Sequence, residues 1–139
     1  MNLFLVSSFT EEQLRQLHAL YQHEWWTKGR TIDEVRRMLA HSPYVFGLCD
    51  PDTQQLVAFA RVLTDRAFEA FIFDVIVAPS YRSQGVGEAL LDRVLAHPDL
   101  ASVQHFELYC LPELIPFHAR WGFSHDAGGV VLLRRQRNH

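Results

Sequence analysis

Residues 75–91 read Val-Ile-Val-Ala-Pro-Ser-Tyr-Arg-Ser-Gln-Gly-Val-Gly-Glu-Ala-Leu-Leu, and no other stretch limits the fold so sharply. An extended β-branched run passes through a Pro-containing loop into R-x-x-G-x-G, after which apolar residues recur at helical spacing. The segment therefore predicts a buried strand, a tight loop and an amphipathic helix. Free N–H groups at such a helix start form an anion site, and Gly85 and Gly87 let oxygens approach the backbone. Arg82 adds a positive charge beside them. A ligand-free Gly turn remains the alternative on two glycines alone. A P-loop fits poorly because no Lys follows Gly87. A dinucleotide fingerprint needs three glycines and an early strand, whereas this turn arrives after four strands.

The rest of the chain fits around that segment. Leu3–Ser8 reads as a strand. Thr10 with Gln13 and Thr31 with Glu34 form two capping boxes, each followed by an apolar stripe. Tyr44–Cys49, the turn Asp50-Pro51-Asp52 and Gln55–Leu63 form a hairpin, and Phe68–Val77 is a strand apolar on both faces. Gly85–Ala96 is a helix, Val103–Cys110 a strand, and Pro116 starts a short helix ending at Gly122. The tail around Gly128-Gly129 reads as a last hairpin. This order predicts an α/β (α+β) fold, a mixed, largely antiparallel sheet with helices on both faces, as a single domain over 1–139.

Composition bounds the partners. The 139 residues carry a formal net charge of −3, which argues against bulk attraction to nucleic acid. No run approaches the ~18 apolar residues of a membrane span, and the start lacks the regions of a signal peptide. With only 2 cysteines, Cys49 and Cys110, a reducing cytoplasm is the expectation. Cys110 reads as a buried structural thiol. The histidines show no metal-ligand spacing, so no metal is expected.

V-x-V-x-P-x-Y-R-x-x-G-x-G-x-x-L-L resembles the acetyl-CoA-binding segment of the GCN5-related N-acetyltransferases. A second match, Phe117-His118-Ala119-Arg120-Trp121-Gly122-Phe123, is similar to the family's F-Y-x-x-x-G-F segment, and element order fits along nearly the whole chain. The resemblance implies acetyl-CoA as cosubstrate and direct transfer of acetyl to an amine, with no acyl-enzyme. It implies that the backbone of Val75 and Val77 pairs with the pantetheine arm. An N–H near Ile76 or Val77 would polarise the thioester carbonyl. Arg82, Ser83, Gln84, Gly85, Val86, Gly87 and Glu88 would wrap the pyrophosphate.

His118 stands where the family places its proton-donating Tyr. It is either an imidazolium donor to the leaving thiolate or a packing ring. The Asn that many members use for pantetheine has no counterpart in Cys110–Glu113. Asp74 lies within an apolar strand, on the side shared by Ile72 and Ile76 if alternation holds. A buried carboxylate there is a base, as in the amino-sugar-phosphate members, or a strut tied to an Arg. Glu107 matches the base position of the ribosomal-protein members.

The loop between the first helices carries Trp25, Trp26, Lys28 and Arg30, with Tyr21 and Glu24 just before it. The resemblance implies that this loop builds part of the acceptor pocket, with aromatic walls; otherwise one Trp plugs the core and one covers the sheet. The leading expectation is acetylation of a small-molecule primary amine. The alternatives are a protein N-terminal or Lys acceptor, and a non-catalytic acyl-CoA-binding module. A homodimer would follow family habit.

Overall fold

A computed structural model describes residues 2–137. It divides into two compact units, Met1–Leu108 and Tyr109–His139. In the first unit, β1 (Phe4–Val6), α1 (Glu11–Tyr21) and α2 (Ile32–Ala40) precede a hairpin of β2 (Tyr44–Cys49) and β3 (Leu56–Thr64). β4 (Glu69–Val77), α3 (Val86–Leu95) and β5 (His105–Leu108) follow. Both expected capping boxes form: Thr10 and Thr31 each accept from the N3 backbone, and Gln13 and Glu34 return the bond.

The sheet runs β1-β2-β3-β4-β5, antiparallel throughout except for the parallel β4–β5 pair. One face is covered by α1 and α2, with Leu14, Leu17, Tyr21 and Val35 packed on Val45, Phe59 and Ile76. The other carries α3, whose Leu90, Leu91 and Val94 are fully buried. This is the expected mixed, largely antiparallel sheet with helices on both faces.

Two local readings change. Alternation placed Asp74 on the side of both Ile72 and Ile76, but Phe59 pairs with Ile76 while Arg61 pairs with Phe73. Two residues, Asp74 and Val75, therefore oppose Ala60 alone. This β-bulge puts Ile72, opposite Val62, on the α3 face and Ile76 on the α1 face. Cys110, expected buried, is exposed; the buried thiol is Cys49.

In the second unit, a 3-10 turn (Pro112–Leu114) leads into α4 (Ile115–Ala119). Pro116 takes the second helical position, where its missing N–H costs nothing. The expected terminal hairpin does not form among the described residues. Gly128 and Gly129 both adopt positive φ, as a type I′ turn requires, but no strand forms among the described residues after Leu108. An isolated two-stranded hairpin is marginal, and Val130–Leu133 are exposed.

Candidate active site

The bulge in β4 creates the centre of the first unit's polar site. Asp74 adopts φ 57°, a left-handed conformation that Asp tolerates better than most residues. Its Oδ2 accepts from Tyr21 Oη at 2.9 Å, Arg30 Nη1 at 2.8 Å and Arg61 Nε at 2.7 Å. Oδ1 faces Arg30 Nη2 at 3.4 Å. Burial alone would raise the Asp74 pKa, yet bonds and charges from Arg30 and Arg61 hold it below the usual carboxylate value. Burial, reinforced by the Asp74 charge, pushes the Tyr21 phenol up, so it stays a neutral donor.

Beyond the bulge, β4 has a free edge. The β4–β5 ladder ends at Ile72–Leu108, so Asp74–Val77 pair with no strand on that side among the described residues. Val75 and Val77 are half-buried and Ile76 is buried in the core. The strand runs through a 3-10 turn (Pro79–Tyr81) into the Arg82–Gly85 loop, where Ser83 and Gly85 have φ of 62° and 77°. Gly85 is the N-cap of α3 and offers no side chain to the helix start. The first internal bond is Ala89 N–H to Gly85 O at 3.1 Å, which leaves the earlier N–H groups of Val86 and Gly87 outside the helix ladder. Val86 turns its side chain into the core. Gln84 Nε2 donates to Ser80 O at 3.2 Å, and Glu88 folds back within 3.3 Å of where a Gly85 Cβ would lie. The open edge and the anion-ready helix start are thus consecutive in the chain.

Arg82 sets its positive charge beside the loop in an ion pair. Its Nη2 is 2.7 Å from Glu24 Oε1, and its Nε donates to Val77 O at 3.1 Å. The pair joins the 82–85 loop to the turn that follows α1. Replacing Glu24 by Gln should release Arg82 and tighten CoA binding about two- to fivefold, the range of an exposed ion pair. Calorimetry at low and high salt checks this; identical affinities and salt slopes would place Arg82 away from the phosphates.

The turn between α1 and α2 is internally held. Thr27, buried, donates to Tyr21 O at 2.8 Å, and Lys28 N–H reaches Glu24 O at 2.8 Å. Trp25 is 75% and Trp26 40% exposed, so neither indole plugs the core. The same turn delivers Arg30, whose guanidinium stacks 4.7 Å from the Tyr21 ring centroid on its way to Asp74. Glu107, half-buried on β5, pairs with Phe71. The structure therefore brings together Asp74 and Arg30, and also Arg82 and Glu24. Arg61 joins the first cluster unforeseen. It was legible as the single charge within the apolar run Leu56–Leu63.

In the second unit, His118 sits on α4 with rings of Phe117 and Phe123 at 5.0 and 6.1 Å. It is 6% exposed, and its Nδ1 has no hydrogen-bond partner among the described residues. Burial lowers its pKa, so neutral imidazole predominates at pH 7. Among the described residues no group of three His, Cys, Asp or Glu could hold a metal. A separate groove of about 340 Å³, lined by Phe9, Thr10, Arg36, Leu39 and Ser42, contains none of the site residues.

The profile of the Acetyltransferase (GNAT) family matches residues 7–123. GCN5-related N-acetyltransferase 1, chloroplastic, of Arabidopsis thaliana is 31% identical, covering 97% of this chain and 70% of that protein. Serotonin N-acetyltransferase 2, chloroplastic, of Oryza sativa subsp. japonica is 32% identical over 73% of this chain and 52% of its own. Histone acetyltransferase TAP1 of Glycine max is 30% identical over 97% of this chain and 62% of its own. Among solved structures, a crystal structure assigned to the GNAT family from Xanthomonas campestris pv. campestris superposes with a TM-score of 0.81 at 30% identity. That alignment covers 99% of this chain and 94% of the other. With a matching profile, relatives and fold added to the open strand edge and uncapped helix, the chain belongs to the GNAT family of acetyltransferases.

Proposed function

We propose that this acetyltransferase transfers acetyl from acetyl-CoA directly to the primary amine of a small molecule, with 1–139 acting as one catalytic domain. The family match runs through both units, which supports the second part. The observation that carries the cosubstrate is the free β4 edge leading straight into an α3 start without a side-chain cap. An extended amide arm fits the first as an added strand, and a pyrophosphate fits the second. Acetyl-CoA supplies an activated thioester, so the chain need only position, polarise and move protons.

In this reading the backbone of Val75 and Val77 aligns the arm, and an N–H of Ile76 or Val77 stabilises the developing oxyanion. Amine deprotonation is assigned to Glu107, whose carboxylate has no hydrogen bond or ion pair within the described residues. Asp74, the other carboxylate candidate, has three donors on one oxygen and serves to hold Arg30 and Arg61. Trp25, Trp26 and Arg30 line the acceptor side. Both cysteines are free, which supports work in a reducing compartment such as the cytoplasm.

Free-thiol release over a panel of small amines tests the reading. CoA binding without release on any amine would leave the acyl-CoA-binding module instead, and release only with peptide or protein amines would move the acceptor to the macromolecular class.

His118 is assigned the proton for the leaving thiolate. Its lowered pKa gives the direction of the pH effect: the protonated form, and with it kcat, falls as pH rises through a value below that of free imidazole. His118→Ala should lower kcat by about 10- to 100-fold with little change in acetyl-CoA KM. His118→Tyr should retain activity and move the alkaline limb upward. An unchanged kcat in the Ala variant would remove His118 from the reaction.

A further inference from the structure

We infer that the acceptor carries a carboxylate near its amine and that Arg61 binds it, an inference that rests on the acetyltransferase reading above and names its substrate class. Strand register places four residues on one sheet face. Arg61 pairs with Phe73, and Glu107 pairs with Phe71, two residues from Phe73 on the same side of β4. Phe71 and Phe73 stack with centroids 4.5 Å apart and planes 17° apart, and the Arg61 guanidinium lies 4.7 Å from the Phe73 centroid. The face is a flat aromatic floor with a cation on β3 and an acid on β5.

The cation is only half used. Arg61 spends its Nε on Asp74, while its two Nη groups make no hydrogen bond or ion pair within the described residues. A guanidinium has five N–H donors in a fixed fork suited to a carboxylate. The charge count points the same way. Arg30 and Arg61 share the single carboxylate of Asp74, so these three side chains carry one excess positive charge, and Glu107 offsets it from the β5 end of the Phe71–Phe73 floor. A cation and a separate acid on one face favour an acceptor that carries both an anion and an amine over one that is only a cation.

Geometry limits the spacing. The Arg61 guanidinium lies over the Phe73 ring of β4, where it meets the anion, and the amine must reach the arm added along the open β4 edge. That separation is on the order of one strand spacing, ~4.8 Å. Short amino carboxylates with a planar or apolar body satisfy it, whereas a protein lysine, with no carboxylate of its own close by, does not.

Phenylalanine and phenethylamine differ only in the carboxylate and serve as the probe pair. In thiol-release assays the wild type should prefer phenylalanine in kcat/KM by about tenfold or more, the scale of a charged hydrogen bond. Arg61→Met should collapse that preference to within about twofold, and Arg61→Lys should fall between. In both variants Asp74 keeps Arg30 and Tyr21, and CoA binding reports that the fold is intact.

No preference in the wild type, or the same preference in Arg61→Met, overturns the inference. Calorimetry with the product analogues N-acetylphenylalanine and N-acetylphenethylamine reads the site without turnover. Tighter, Arg61-dependent binding of the first supports the inference, even if no amine releases thiol and the catalytic reading fails. Equal binding of the two overturns it whatever the turnover shows.

Discussion

Gly87→Asp should weaken CoA binding by at least two orders of magnitude while leaving the protein folded. Gly87 is the second residue of α3, after the N-cap Gly85 and Val86. The helix start offers N–H groups and the positive end of the macrodipole to an anion. An aspartate there sets a like charge against the pyrophosphate. At ~4 Å and an effective dielectric near 20, the repulsion is about 4 kcal/mol, which is roughly a thousandfold in affinity.

The same substitution should be benign for the free protein. Acidic residues in a first helical turn interact favourably with the dipole, and Asp has higher helix propensity than Gly. Tm should therefore hold or rise while CoA affinity collapses, and that divergence separates a blocked cradle from a broken fold. Gly87→Ala, which adds a methyl without charge, should fall between. Calorimetry with CoA reads all three proteins, and wild-type affinity in the Asp variant would locate the phosphates elsewhere.

How much of this could be read beforehand depends on whether the signal was local. The caps at Thr10 and Thr31 are set by residues three apart, and both form as the sequence predicts. The strand-loop-helix around R-x-x-G-x-G was legible for the same reason. The bulge was not. Asp74 stands at a period-two position between Ile72 and Ile76, and only the pairing of β3 with β4 shows that the period breaks there. That break decides which face Asp74 serves, and so which arginines it meets.

Arg61 was missed because its partners are 13 residues away in sequence for Asp74 and on a neighbouring strand for Phe73. The exposure of Trp25 was illegible for another reason: an aromatic pair after a helix reads equally well as core or as surface. The Glu24–Arg82 pair joins residues 58 apart in sequence, beyond any local spacing rule.

The bulge also carries the largest expected loss of stability. Asp74→Ala should cost about 3 kcal/mol, because deleting one partner of a buried ion pair leaves its cations uncompensated. The Asp74 side chain is 4% exposed and that of Arg61 16%, so Arg61 bears most of the loss; Arg30, at 33%, can turn toward water. For a domain of this size that is a fall in Tm of about 10 °C. Asp74→Asn keeps the shape and tolerates the left-handed φ, so it should lose about half as much.

The pH dependence distinguishes a charge effect from a packing effect. The folded Asp74 pKa is depressed, so its contribution is fully present above the unfolded value of ~3.9 and is lost as pH falls through the lower folded value. The stability gap between wild type and Asp74→Asn should therefore be constant near neutrality and close below about pH 4. A gap that does not narrow as pH falls below about 4 would mean that shape, not charge, holds the cluster. Kinetics then assign the role. If Asp74 is a strut, Asp74→Asn assayed well below its Tm keeps its acid limb and raises the acceptor KM as Arg30 and Arg61 lose their anchor. Loss of that acid limb, with KM unchanged, would make Asp74 the base in place of Glu107.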